Sequence, residues 1–140
     1  RELLREEGCR SKKLIEWAEW VFTPGRASCE DCTHHARKIK KQDNPVCVTG
    51  VCPYHRPSLF LSNHLAWDMY QKVSSQVIVG GMGDVLGIRF EAIGFLFELY
   101  DIIDREDRLT LFEKIMSIDG VRANIRSKDL ANKRAEPKKK

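Results

Sequence analysis

Two stretches with helical apolar spacing flank a cluster of glycines in the middle of this chain, and few folds accommodate both at once. Leu65, Met69, Val73 and Val77 recur every four residues before Gly80-Gly81-Met82-Gly83, and Ile88, Ala92, Phe95, Leu96 and Leu99 follow it. Apolar residues at that spacing line one side of a helix, so the pattern predicts two helices meeting at a flexible bend. The expected fold class is therefore mainly α, a small helical domain built on that helical hairpin. Val77-Ile78-Val79 leaves one choice open: three β-branched residues can finish the first helix or swing into a short extended piece. A phosphate cradle is another use of clustered glycine, but no Gly-Lys-Ser/Thr follows, no strong strand precedes, and Asp84 would place a carboxylate where an anion should bind. The second helix also carries Phe90, Ile93, Phe97 and Ile102, which spreads apolar residues around much of its circumference. Such a helix is either central to its domain or covered by another chain.

The flanks read as attachments to this centre. Ser11 is a candidate N-cap for a helix with Leu14, Trp17, Ala18 and Val21 on one face, stopped by Thr23-Pro24-Gly25. Trp17 and Trp20 are expected to pack it on the core. Ser62 is the corresponding cap for the helix of the central stretch. Beyond a charged break at Asp104 to Asp107, Leu109, Phe112, Ile115 and Met116 form a last amphipathic pattern, expected to end near Asp119-Gly120. This divides the chain into an N-terminal helix (1–27), a cysteine-rich module (28–57), the helical domain (58–120) and a basic C-terminal tail (121–140).

From Ser28 to Pro57 regular periodicity disappears, and a polar loop of this kind cannot bury enough apolar surface to offset its chain entropy. Four of the five cysteines lie here in two pairs, Cys29-x2-Cys32 and Cys47-x4-Cys52, which is zinc-ribbon-like spacing. Four thiolates around zinc would close the coordination shell and leave no open position for water, so the expected cofactor is a structural zinc ion. An iron–sulfur cluster, disulfides and unligated thiols are the competing uses, and His55, three residues past Cys52, is an alternative fourth ligand. His34 and His35 suit a solvated loop. Cys9 stands apart from the cluster as a small side chain.

Net charge is only +4, but it is unevenly spread. Residues 58–108 hold 4 basic and 8 acidic side chains, whereas residues 109–140 hold 9 and 4. The run Arg37, Lys38, Lys40, Lys41 has no interleaved aromatic for base stacking, so it reads as a solvated knuckle rather than a nucleic-acid contact. No run of eighteen apolar residues is present, which argues against a membrane span, and no charged start with an apolar segment argues for export. Cytoplasm is the expected location, and Arg1 in place of a methionine leads us to expect further sequence upstream.

The central stretch resembles a family of small proteins from the tail-assembly regions of long-tailed phages and prophages, generally taken for tail assembly chaperones. That family's pattern is a tryptophan, then Thr-Gln-Trp-Arg-x-Gly-Met-Gly-Gly, then Gly-Leu-Asp-Tyr-x-Ala-Leu and a hydrophobic helix ending in Leu-Gly-Ile. Its counterparts are Trp67, the run Ser75 to Gly83, the run Gly87 to Ile93 and Tyr100-Asp101-Ile102, roughly a quarter of the chain, in the family's spacing to within a residue. Some members carry paired cysteines upstream as well. Val77-Ile78 stands where the pattern has Trp-Arg, and Arg89 where it has Asp, so a family surface would be altered here in an aromatic and in charge.

The resemblance implies a non-enzymatic protein that covers apolar helical segments of a tape measure or tail tube protein until they polymerise, in the host cytoplasm, with a homo-oligomer as a compatible state. The residue reading agrees, because exposed apolar helix faces bind partner helices in grooves with adaptable methionine and aromatic contacts. Trp67, Met69, Met82, Phe95, Phe97 and Tyr100 are the candidate partner-binding residues, each with core packing as the plainer alternative. The competing function is a zinc-ribbon nucleic-acid-binding regulator, favoured by the thiolate loop and the lysine tail but opposed by the acidic middle. No acid–base pair or substrate pocket can be named for catalysis. The purified protein should carry zinc, and the double substitution Cys29→Ser/Cys32→Ser should abolish it while leaving most of the helical circular dichroism. Full metal retention in that variant would exclude the ligand set.

Overall fold

The computed structural model describes residues 2–24 and 56–135, with residues 2–10 described as backbone alone. The four cysteines Cys29, Cys32, Cys47 and Cys52 and the three histidines of the loop lie outside the described residues. Within them the order is α1 (Glu2–Phe22), α2 (Leu61–Val73), β1 (Val77–Val79), β2 (Val85–Ile88), α3 (Phe90–Leu99) and α4 (Arg105–Ala135). The chain is mainly helical, as its periodicity predicts. α1 and α2 both pack on α4, and α3 packs on α2.

α1 buries Leu14, Trp17 and Ala18 at i, i+3 and i+4, the expected face, although Val21 stays partly exposed. It begins nine residues before Ser11, because Glu2 to Glu7 are largely good helix formers and carry the helix through that serine. It ends where expected. Thr23 donates from both its amide and its hydroxyl to the Glu19 carbonyl, at 3.1 and 2.6 Å, and Pro24 has no amide to continue the ladder.

α2 starts at Leu61 after extended Phe60, without a side-chain cap from Ser62. Its buried face is Asn63, Ala66, Met69, Tyr70 and Val73, turned away from Leu65, which is partly exposed. The helix stops at Val73, so the helical hairpin expected across the glycines is replaced by a β-hairpin. The β-branched run Val77-Ile78-Val79 takes the extended alternative and pairs antiparallel with β2, Val77 opposite Ile88 and Ile78 opposite Gly87. Val79 then faces Val85, so Leu86 is the extra residue of a bulge. The glycines form the tip. Gly80 N–H donates to Asp84 O at 2.7 Å, Gly83 N–H donates to Gly80 O at 3.0 Å, and Gly83 sits at φ 81°, where a side chain would be strained.

α3 ends in a two-bond cap: Ile102 N–H donates to Phe97 O at 2.9 Å and Asp101 N–H to Glu98 O at 3.1 Å, with Asp101 left-handed at φ 53°. Two residues later the charged break proves to be a cap as well. Asp104 Oδ1 accepts from the amides of Glu106 and Asp107 at 2.9 and 3.0 Å, and those two carboxylates sit favourably in the first turn of α4. Arg108 staples the corner by donating to Ile102 O at 2.5 Å and to Glu98 Oε1 at 2.7 Å.

α4 does not end at Asp119-Gly120 but continues to Ala135, 31 residues or about 46 Å at 1.5 Å each. Leu111, Ile115 and Ile118 enter the core, and Asp119 is buried beside them. Asp119 Oδ1 lies 3.0 Å from the Arg122 guanidinium, which also donates to Ser74 O at 3.1 Å and sits 5.6 Å from the Tyr70 ring centre. This cluster fixes the carboxyl end of α2 to the middle of α4, and a single glycine costs a helix only about 1 kcal/mol, too little to break it there. Burial pushes the Tyr70 phenol up to about 12, with the Asp119 carboxylate adding to the shift and the Arg122 cation opposing it. Substituting Asp119→Asn should lower unfolding free energy by about 2–4 kcal/mol, since it leaves a largely buried guanidinium without its counter-ion. Urea denaturation checks this, and a loss below about 0.5 kcal/mol, the scatter of ordinary surface changes, would show that the pair does not anchor the fold.

Candidate functional site

The six residues singled out as a partner face do not share one environment. Met69 and Phe97 belong to the core cluster and offer no surface without unfolding. Trp67 is half-buried in an aromatic series that joins α1 to α2: its ring lies 6.0 Å edge-on from Trp17, 5.9 Å from Phe22 and 5.8 Å stacked on Tyr70. Arg56 closes that series from outside, its guanidinium 4.3 Å from the Trp17 ring centre. These contacts explain the tryptophans as packing.

Tyr100 is tied down by a polar contact. Its hydroxyl donates to Asp68 Oδ2 at 2.5 Å, and Lys72 donates to the same oxygen at 2.5 Å. The Lys72 hydrogen bond and then that of Tyr100 hold the Asp68 carboxyl below its ordinary value, and the Lys72 ammonium is correspondingly raised. The trio spans 32 residues of sequence and locks the end of α3 onto α2.

Two of the six remain open to a partner. Met82, at the hairpin tip, is 94% exposed, and Phe95, on α3, is 67% exposed. Each has exposed apolar company that the sequence reading did not select. Around Met82 the hairpin presents Ile78, Val79 and Leu86, and alongside Phe95 come Leu99 at 64% and Ile103 at 78% exposure. The signal for Leu99 was present, since it stands four residues after Phe95, directly above it on the same helix face. Phe90 is also exposed, but its ring packs edge-on against Phe112 at 5.3 Å and is partly spoken for.

Why this face is turned outward follows from the rest of α3. Ile93, Leu96 and Phe97 fill the inward side, packing the ten-residue helix chiefly on α2, while Phe90 and Glu98 reach α4 at its edges. Among the described residues no element covers the outer side that carries Phe95 and Leu99. Glu91 and Glu98 lie on that outer side, and all of Glu91, Glu98, Asp101 and Asp104 are exposed. A groove elsewhere, between β2 and the far half of α4, is lined by Asp84, Leu86, Asp119, Arg122, Arg126 and Leu130, two carboxylates balancing two guanidiniums. Among the described residues no group of three or more His, Cys, Asp or Glu side chains could hold a metal ion, and no helix is long and apolar enough to cross a membrane.

Compared with known proteins, the chain matches no family model, no curated protein and no solved structure.

The trio at Asp68 has a titration consequence. Because the carboxyl is lowered in the folded chain, its contribution to stability is present above the ordinary Asp value of 3.8 and is lost as pH falls through the depressed folded value. Side-chain carboxyl NMR should show Asp68 titrating below 3.8, and Tyr100→Phe should move it upward. An unchanged titration in Tyr100→Phe would remove the phenol from the account.

Proposed function

We propose that this chain is a non-enzymatic, chaperone-like assembly protein of a long-tailed phage or prophage, one that grips tape measure or tail tube segments through exposed apolar surface. The single observation that supports this most is the outer side of α3 and the turn after it, where Phe95, Leu99 and Ile103 stand exposed on one short stretch capped at the carboxyl end of the helix. Isolated exposed apolar side chains are ordinary, but several large ones together mark a contact surface. The hairpin tip with Met82 and Leu86 supplies a second apolar contact of adaptable shape. The match of the run from Trp67 to Ile102 to the tail-assembly pattern points the same way, and its location would then be the host cytoplasm. Structural zinc on Cys29, Cys32, Cys47 and Cys52 completes the reading, bracing the loop beside the helices and taking no part in binding chemistry.

A zinc-ribbon nucleic-acid-binding regulator is the second reading. It is favoured by the exposed far half of α4, where Arg126, Lys128, Lys133 and Arg134 face solvent. The mild net charge and the acidic α3 region weigh against it.

Co-expression with overlapping segments of the cognate tape measure and tail tube proteins tests the first reading. Binding of at least one segment, weakened about tenfold or more by Phe95→Asp, is the expected result. A monomer that ignores every segment, yet binds DNA or RNA with a steep loss of affinity as salt is raised, would replace it with the second.

A further inference from the structure

We infer that the outer face of α3 selects a basic amphipathic helix, with apolar residues on one side flanked by lysine or arginine, as its partner. The inference rests on the assembly reading above and adds the chemistry of what is gripped. Glu91, Phe95 and Leu99 follow at four-residue intervals, so a carboxylate and two large apolar side chains share one row along the helix. Glu98 borders that row three residues after Phe95, and beyond the helix end Asp101 and Asp104 flank exposed Ile103, with Ile102 turned to the core. Between Arg89 and Arg108 there are six carboxylates against three guanidiniums, and the Glu98–Arg108 pair at 2.7 Å takes up one of each, leaving five against two. The apolar strip is thus rimmed by excess negative charge.

That combination chooses between occupants. A nucleic acid would be repelled by the rim, and an acidic helix would set carboxylate against carboxylate as it buried Phe95 and Leu99. A basic helix gains on both counts: its apolar side covers the strip, while its flanking cations meet Glu91, Asp101 and Asp104 at the edge. Rim charges of this kind act mainly on encounter rate and partner choice, and the apolar strip supplies the affinity.

Titrating the full-length protein with two synthetic helices tests this, both with the same leucine face, one with lysine flanks and one with glutamate flanks. The lysine helix should bind at least about tenfold more tightly at low salt, and the gap should narrow as salt is raised. Phe95→Asp should abolish binding of the lysine helix, and Glu91→Gln/Asp101→Asn, which spares the Glu98–Arg108 staple, should weaken it several-fold while retaining the helical circular dichroism. Equal or preferred binding of the glutamate helix would overturn the inference, as would lysine-helix binding untouched by Phe95→Asp. If neither helix binds and the native mass shows a dimer that Phe95→Asp dissolves, the face belongs to a second copy and the inference also fails. Binding of the lysine helix without capture of any tail segment would keep the inference and remove the phage reading.

Discussion

A single long helix supplies the surface on which this fold closes. α1 and α2 meet through the aromatic side chains Trp17, Phe22, Trp67 and Tyr70, and both lie on α4, whose buried stripe is Leu111, Ile115 and Ile118. Burial of apolar area on that stripe, about 25 cal/mol per Å², holds elements that are far apart in sequence. Apolar packing alone is tolerant of sliding along a helix, and the Asp119–Arg122 pair is not. Arg122 must reach one carboxylate on its own helix and one carbonyl at the end of α2, so the axial position of α2 is set by a contact with direction as well as proximity. Lys114 adds a second peg by donating to Ser62 O at 2.9 Å, near the opposite end of α2.

The elements that were legible in the sequence are those whose own residues decide them. The face of α1 and its stop at Thr23-Pro24 are local chemistry, and periodicity with a helix-breaking proline reveals them, as the charged break at Asp104 to Asp107 marks the start of the last helix. The misread elements needed tertiary information. The four-residue spacing of Leu65, Met69, Val73 and Val77 fits a helix, but Val77 leaves it because the edge of β2 gives the extended β-branched run a ladder to join. Asp119-Gly120 reads as a terminator by residue type alone, and the buried Asp119–Arg122 pair that keeps the helix going there is a tertiary feature. The i, i+3 relation of the two was visible, but such pairs are common on helix surfaces, and nothing local says that this one is buried.

The candidate site divides along the same line. Periodicity identified α3 as apolar on too many sides, which is a statement about surplus and not about direction. Which of Phe95, Phe97 and Leu99 would face out depended on where α2 lies. Phe97 turns inward to the core and Phe95 outward, two residues and about 200° apart on the helix. Tyr100 was a fair choice by type, but it is engaged by Asp68, a partner 32 residues away that no spacing rule reaches.

The outward face is costly to the isolated chain. Leaving a large apolar side chain in water forgoes about 1.5–3 kcal/mol, and α3 does so at Phe95 and Leu99 with Ile103 following. A domain of this size has only about 5–15 kcal/mol of net stability, so the sacrifice is appreciable. The fold compensates close by. The left-handed cap at Asp101, the Asp104 cap of α4 and the Arg108 staple all converge on the connection between α3 and α4, so the helix stays formed with one side bare. Local rigidity at a bare face favours binding, because a partner that covers it need not first order the helix. The same strip left flexible would invite indiscriminate association; held in place and bordered by carboxylates, it suits the selective contact proposed for it.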